Sequence, residues 1–170
     1  DKVNIHVEPV CYSTDDTAEL AEIFNGNEAL IKKYAEKLSI SFERVEYAKN
    51  NFIRVVKVMK AFILNDSVKS FLCLNNKLPQ ENKGLFDIKL LEEFADAIIK
   101  LYGIKGLKGK DLLYSINSED YDAKRAEFIQ RLSKGEKLFV ISSYNTVGAG
   151  QNLQYKAPGN ATIVAVNDYD

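Results

Sequence analysis

The amino-acid sequence predicts an α/β fold, with a parallel sheet and flanking helices preceded by a small helical unit. From residue 68 onward, short apolar runs alternate with amphipathic stretches in the order β-α-β-α-β-loop-β. Such alternation is typical of parallel strands joined by right-handed crossovers. The predicted strands are continuous apolar runs, as expected where helices cover both faces of a sheet. Before residue 64, apolar residues recur at helical spacing.

Residues 1–64 are predicted to form the helical unit. Val3, Ile5 and Val7 alternate with polar residues and predict a short strand that ends at Pro9. Three helices follow, the first with capping residues at 15–17 and a stop at Gly26. The apolar positions of the three helices are Leu20, Ile23 and Phe24; Leu30, Ile31, Tyr34, Ala35 and Leu38; and Phe42, Val45, Phe52, Val55, Val56, Met59, Phe62 and Ile63.

Residues 65–170 are predicted to form the sheet and its helices. The helical spacing of apolar residues gives way to short apolar runs at residues 65–67. Strands are predicted at 68–74, 112–116, 138–141 and 162–166. One amphipathic helix spans residues 90–101 and ends at Gly103, and a Gly/Lys-rich turn follows it. A second helix is capped by Asp120 or Asp122 and ends at Gly135.

Length, charge and cysteine content limit the classes of protein to which this chain can belong. The chain has 170 residues, the size of one domain, and a net charge of −1, so no global basic field favours nucleic acid. Lys and Arg nevertheless outnumber Asp and Glu by 11 to 6 in residues 51–110. The two cysteines lack metal-site spacing and predict a reduced, cytoplasmic protein. No apolar run approaches the ~20 residues of a membrane span, so no membrane partner is expected.

Ligands of parallel α/β sheets bind at the carboxyl ends of the strands. The loops predicted there are 75–83, 115–121, 142–154 and 167–170. The third loop lies within KLFVISSYNTVGAGQNLQ, where an apolar strand runs into hydroxyls, amides and two glycines. Glycine allows a close approach of backbone and ligand, and the neighbouring polar groups can bond phosphate or sugar oxygens.

One interpretation of this loop is a dinucleotide site. Gly148 and Gly150 supply the first two glycines of GxGxxG, and Asp168 lies 20 residues beyond Gly148. The third glycine position holds Leu153, and Pro158 and Gly159 break the helix that the motif requires. A Walker A phosphate loop is absent from the sequence.

A second interpretation uses more of the chain. Ser143, Gly148, Gly150, Asn152 and Leu153 match the motif V pattern S-T-x-x-G-G-x-G-x-N-L. Residues 68–170 therefore resemble the second RecA-like lobe of superfamily-2 helicases and the related Snf-type translocases. The helix KRAEFIQRL, the turn KGEK and the strand before the loop follow the order of that lobe, as does a last strand ending near an aspartate.

The resemblance has departures. Tyr144 stands where the family usually has a threonine that contacts phosphate, and Val147 replaces the first paired glycine. The chain stops before motif VI with its arginine finger, and the first lobe with its Walker A motif is not in it. We therefore expect an excised piece of a longer protein that has no ATPase activity by itself.

The resemblance implies roles for named residues. Gly148, Gly150, Gln151 and Asn152 would lie at the ATP cleft, where Asn152 approaches the ribose or couples motif V to motif VI. Ser143, Asn145 and Thr146 would bond nucleic-acid phosphates, contacts that position the backbone without reading sequence. The further phosphate candidates after the first strand are Asn75, Asn76 and Lys77.

The implied partners are a DNA or RNA backbone and the first RecA-like lobe of the same parent chain. ATP and Mg²⁺ would act in the intact protein, and neither is expected on this chain alone. Two other classes remain open. One is a Rossmann-type domain that binds a nucleotide cofactor such as NAD or S-adenosylmethionine. The other is a non-catalytic interaction module that uses the helices of residues 1–64 as its surface.

Overall fold

A computed structural model describes residues 7, 9–43, 45–81 and 86–144 of the chain. The described part is an α/β structure with a three-stranded parallel sheet and flanking helices. Its elements in chain order are α1 (Asp16–Ile23), α2 (Glu28–Phe42), α3 (Glu46–Leu64), β1 (Ser70–Asn75), α4 (Ile88–Leu101), α5 (Gly109–Leu112), β2 (Leu113–Ile116), α6 (Tyr121–Ser133) and β3 (Leu138–Ser143).

The three predicted helices are present in the described residues, but the border between the second and the third differs from the prediction. The Asp15 carboxylate caps α1 by accepting hydrogen bonds from the backbone N–H groups of Thr17 and Ala18. Phe42, predicted to begin the third helix, is the last residue of α2 instead. The chain turns after it because Glu43 has φ 39°, a left-handed conformation that stops a helix.

The sheet has the strand order β1-β3-β2, and both strand pairs are parallel. The predicted β-α-β-α-β order and the parallel direction are thus confirmed for the described strands. β3 is central, so its carboxyl end lies between those of its two neighbours. The predicted strand at 162–166 lies outside the described residues, as does all of the predicted strand at 3–7 except Val7.

Two hydrophobic clusters lie on the two faces of the sheet. Phe139 and Ile141 of β3 belong to the larger cluster, together with α1 to α4. Leu138 and Val140 point to the opposite face and pack with α6. Because side chains alternate along a strand, odd-numbered residues of β1 and β3 face α3, and even-numbered residues of β3 face α6.

The helical unit shares its core with α4. Aromatic rings from α2, α3, α4 and the end of α1 pack against one another at centroid distances of 4.3–5.7 Å. The rings in these pairs are Phe24, Tyr34, Phe52 and Phe94. The boundary predicted at residues 64 and 65 stays a prediction, and across it α3 packs on β1, with Phe62 5.9 Å from Phe71.

The Gly/Lys-rich turn contains a helix that the pattern did not indicate. α5 covers Gly109–Leu112, so Leu112 ends a helix and the second strand begins at Leu113 rather than at Leu112. The Gly109 N–H donates to the Asp96 carboxylate at 2.6 Å. A side chain at Gly109 would place its Cβ 2.5 Å from the backbone oxygen of Glu92, so only glycine fits against α4.

Candidate functional site

The candidate site lies at the carboxyl edge of the sheet. Asn75 ends β1, Ile116 ends β2 and Ser143 ends β3. The strand register pairs Asn75 with Ser143 and Ile116 with Ser142. Three strand ends thus meet at one level, which is where open α/β sheets bind ligands.

Asn75 and Ser143 are direct neighbours on the same face. They are partners in the register of β1 and β3, and such neighbours lie roughly 4.8 Å apart. Both occupy odd positions, in line with Phe71 and Phe139 on the α3 side. The fold therefore brings together one amide and one hydroxyl that are 68 residues apart in sequence.

The amide of Asn75 has a fixed orientation. Its Oδ1 accepts a hydrogen bond from the backbone N–H of Asn76 at 2.9 Å, and a second from Asn51 Nδ2 at 3.3 Å. A backbone N–H can only donate, so the Asn75 atom that faces it must be the oxygen. The other atom of this amide is therefore the nitrogen, a hydrogen-bond donor, on a residue that is only 8% exposed.

The loop after β2 is closed by its own side chains. Asn117 Oδ1 accepts from the N–H groups of Glu119 and Asp120, and Asp120 Oδ1 accepts from the Asn117 N–H. Lys124 bonds Asp120 at 2.7 Å and the Ser115 carbonyl at 2.8 Å. Burial would raise the pKa of Asp120, but the bonds from Lys124 and Asn117 outweigh it and lower that pKa. The side chains of Asn117, Asp120 and Lys124 therefore stabilise the loop itself.

Ser142 has a structural role. Its side chain is 1% exposed and its hydroxyl donates to the Ile116 carbonyl at 3.1 Å. The bond ties β3 to the end of β2, on the α6 face of the sheet. Ser142 and Ser143 are adjacent in sequence, yet they face opposite sides because the strand alternates.

Solvent reaches the edge next to Asn75. Asn76 and Lys77 are exposed immediately after β1. Tyr144 follows β3 and is 58% exposed, so its ring lies at the surface beside Ser143. The described edge thus carries amide, hydroxyl and ammonium groups together with an aromatic ring.

The structure describes four of the ten predicted site residues. Asn75 and Ser143 end β1 and β3, and Asn76 and Lys77 follow Asn75 directly, while their roles as phosphate contacts stay predictions. The others lie outside the described residues, so their roles stay predictions. These are Asn145, Thr146, Gly148, Gly150, Gln151 and Asn152.

Sequence reasoning missed one residue of α3. Asn51 reaches the edge through its bond to Asn75. The available signal was weak: Asn51 is a poor helix former inside an apolar stripe, and such a residue often has a bonding partner. The identity of that partner depends on tertiary packing.

Two negative findings apply to the described residues only. Within residues 7, 9–43, 45–81 and 86–144, no group of three or more His, Cys, Asp or Glu side chains could hold a metal ion. No helix in the same part of the chain has the length and apolar character needed to cross a membrane. In comparisons with known proteins, the chain matches no family model and no curated protein.

Proposed function

We propose that residues 65–170 are the second RecA-like lobe of a superfamily-2 helicase or Snf-type translocase. The lobe contributes motif V to contacts with a DNA or RNA backbone and to the ATP cleft. One observation supports this more than the rest: Ser143, the first residue of the motif V match, ends the central strand of a parallel sheet beside Asn75.

That placement fits the chemistry of phosphate binding. Phosphate oxygens accept hydrogen bonds, and the edge supplies the Asn75 amide nitrogen, the Ser143 hydroxyl and the exposed Lys77 ammonium. Neutral donors of this kind fix the position of a strand without selecting bases. A helicase lobe needs that property because it moves along any sequence.

ATP would supply the energy for movement in the intact protein, bound between this lobe and the first. Catalysis of phosphoryl transfer requires Lys, Mg²⁺ and arginine groups from both lobes around the γ-phosphate. The residues assigned to the cleft, 148 and 150–152, lie outside the described residues. Because the sequence contains no Walker A motif, we expect no ATP hydrolysis by this chain alone.

Binding to nucleic acid tests the proposal directly. Fluorescence anisotropy of the 170-residue chain with labelled oligonucleotides of several sequences should give similar affinities for each. Ser143→Ala and Asn75→Ala should each weaken binding by about tenfold or more for every sequence, since a hydrogen bond to a charged group contributes about 1.5–3 kcal/mol. Ser142→Ala is the matched control, because the Ser142 hydroxyl donates to the Ile116 carbonyl within the sheet.

ATP hydrolysis tests the other half of the proposal. The isolated chain should show no turnover, whereas the parent protein should show turnover that nucleic acid stimulates and that Asn152→Ala reduces. Turnover by the isolated chain that Asn152→Ala abolishes would contradict the assignment. Strong binding of NAD or S-adenosylmethionine in a thermal-shift assay would favour the Rossmann-type alternative instead.

A non-catalytic interaction module is the second candidate. Two apolar side chains next to the turn between α2 and α3, Ile40 and Val45, are 68% and 39% exposed. Exposed apolar groups of this kind mark protein contacts when they are contiguous. This class would be favoured if the chain bound no oligonucleotide and Ile40→Ser abolished capture of a protein partner.

A further inference from the structure

The outer edge of β1 is open in the part of the chain that the structure describes. β1 pairs with β3 on one side, and no other strand among the described residues pairs with it. Its sequence, SFLCLN, contains no charged residue and no proline, two of the features that protect the edge of a sheet. Such an edge can accept a further strand through its backbone N–H and C=O groups.

An apolar groove runs along this edge on the α3 face. It has a volume of about 610 Å³, within the range of binding pockets, and Phe62 and Phe71 form part of its lining. The lining also includes Val10 and Ala61, which are exposed residues outside the sheet, but not Phe139 of β3. The groove therefore lies on the outer side of β1.

The opposite face of the sheet is open at the same place. Leu72 of β1 is 41% exposed and does not belong to the cluster that packs with α6. Side chains of an added strand would alternate between the groove and the surface beside Leu72. Both faces thus favour a segment rich in β-branched residues.

Two lysines lie at the amino end of this edge. Lys69 precedes β1 and Lys137 precedes β3, and the Leu138 N–H donates to the Lys69 carbonyl at 2.8 Å. The Lys137 Nζ lies 4.5 Å from the centre of the Phe62 ring and donates to the Asn65 carbonyl. Because Phe62 and Asn65 both line the groove, the Lys137 ammonium lies at the end of the groove.

The charges at this end are not balanced. Burial lowers the pKa of Lys137, and the charge of Lys69 lowers it further, while Asp66 raises it. Glu136, the next acidic group along the chain, is paired with Arg131 at 2.6 Å. Two ammonium groups therefore share one carboxylate, and a further anion would be favourable here.

We infer that the outer edge of β1 binds an extended apolar segment of a partner protein, whose terminal carboxylate is held by Lys69 and Lys137. The segment runs antiparallel to β1, because only then does its carboxyl terminus arrive at the amino end of β1. Antiparallel edge strands are common on otherwise parallel sheets. The inference does not rest on the proposed function, which uses the carboxyl edge of the sheet.

Fluorescence anisotropy of labelled peptides with the 170-residue chain tests the inference. The probe alternates Val and Thr over the length of β1 and is made with a free carboxyl terminus, with a terminal amide, or with Pro at every second position. The free acid should bind about threefold more tightly than the amide, the gain of a partly exposed ion pair. The proline form should not bind, since proline cannot donate to the edge.

Variants separate the lysine contact from the strand contact. Lys69→Ala should remove the preference for the free acid, whereas Lys134→Ala, an exposed lysine after α6, should keep it. Leu72→Lys should weaken binding of acid and amide alike, because a charged side chain protects an edge. Far-UV circular dichroism confirms that each variant folds.

Three outcomes would overturn the inference. Equal binding of acid and amide would exclude the carboxylate contact. A dimer in sedimentation that Leu72→Lys dissociates would assign the edge to a second copy of the chain. Binding of neither peptide by a monomeric chain would exclude a partner segment. Each outcome leaves the oligonucleotide measurements at the carboxyl edge unaffected.

Discussion

Asn51 of α3 donates a hydrogen bond of 3.3 Å to Asn75, the last residue of β1. The bond joins the predicted helical unit to the predicted sheet unit at the edge where ligands of such sheets bind. Together with the bond from the Asn76 N–H, it fixes the orientation of the Asn75 amide. The helical unit thus takes part in shaping the candidate site.

Removal of Asn51 should weaken nucleic-acid binding through Asn75. In Asn51→Ala, only the Asn76 N–H holds the Asn75 oxygen, so the amide gains freedom and affinity falls severalfold. Asn51→Asp should reduce affinity more, because a carboxylate cannot donate and attracts the Asn75 nitrogen inward. Anisotropy measures both, with Asn50→Ala as the neighbouring control. Equal affinities of the Asn50 and Asn51 variants would contradict a positioning role.

Salt dependence should separate the neutral donors from the lysine. A Lys–phosphate contact releases a counterion, so Lys77→Ala should make the slope of log affinity against log salt shallower by about 0.7 for a single strand. Asn75→Ala should lower affinity at every salt concentration and leave the slope unchanged. Titrations at several salt concentrations measure the slopes. A shallower slope for Asn75→Ala would argue against a neutral contact.

Ser142→Ala should affect stability and leave binding unchanged. The substitution removes a buried hydroxyl and leaves the Ile116 carbonyl without this donor, which costs about 1–3 kcal/mol. Urea denaturation measures the change in the free energy of unfolding. Ser143→Ala, at the next position, should show weaker nucleic-acid binding. Identical behaviour of the two variants would refute the assignment of opposite faces.

Gly109→Ala should destabilise the fold. The added Cβ would lie 2.5 Å from the Glu92 carbonyl oxygen, which is backbone and cannot rotate away. Overpacking of this kind costs about 1–3 kcal/mol, and the shift also disturbs the bond from Gly109 to Asp96. Thermal denaturation checks the effect, with the exposed Lys110→Ala as the control. An unchanged melting temperature would mean that α5 can move away from α4.

The two cysteines should differ in reactivity. Burial raises the pKa of the Cys73 thiol to about 11, whereas Cys11 is exposed. Alkylation at pH 8, followed by mass spectrometry, should therefore modify Cys11 and spare Cys73, since the thiolate is the reactive form. Rapid modification of both residues in the folded chain would contradict the burial of Cys73.

Cys73 should also affect stability at alkaline pH. An unfolded thiol ionises near pH 8.5, so the raised pKa in the folded state stabilises the fold fully below that value. The stabilisation is lost as the pH rises from about 8.5 toward 11. Cys73→Ala should show a shallower loss of melting temperature over this range than the parent chain. Cys11→Ala should follow the parent.

Local sequence patterns predicted most elements, because the formation of a helix or a strand depends largely on residues that are close in sequence. Helical spacing of apolar residues located α1, α2, α4 and α6, and continuous apolar runs located the three strands. The errors fall where the local signal is ambiguous. Phe42 fits the stripe of either α2 or α3, and only the left-handed turn at Glu43 decides between them. α5 has four residues, too few to show a period.

The sequence by itself determined the parallel α/β class and the loops at the strand ends, since alternation of elements follows from the hydrophobic pattern. Tertiary structure alone decided which polar groups meet there. Ser142 and Ser143 look alike in sequence, yet strand alternation buries the first against Ile116 and sets the second beside Asn75. Asn51 reaches Asn75 because α3 runs antiparallel to β1. Packing of the helix on the sheet sets this direction, and no local sequence pattern encodes it.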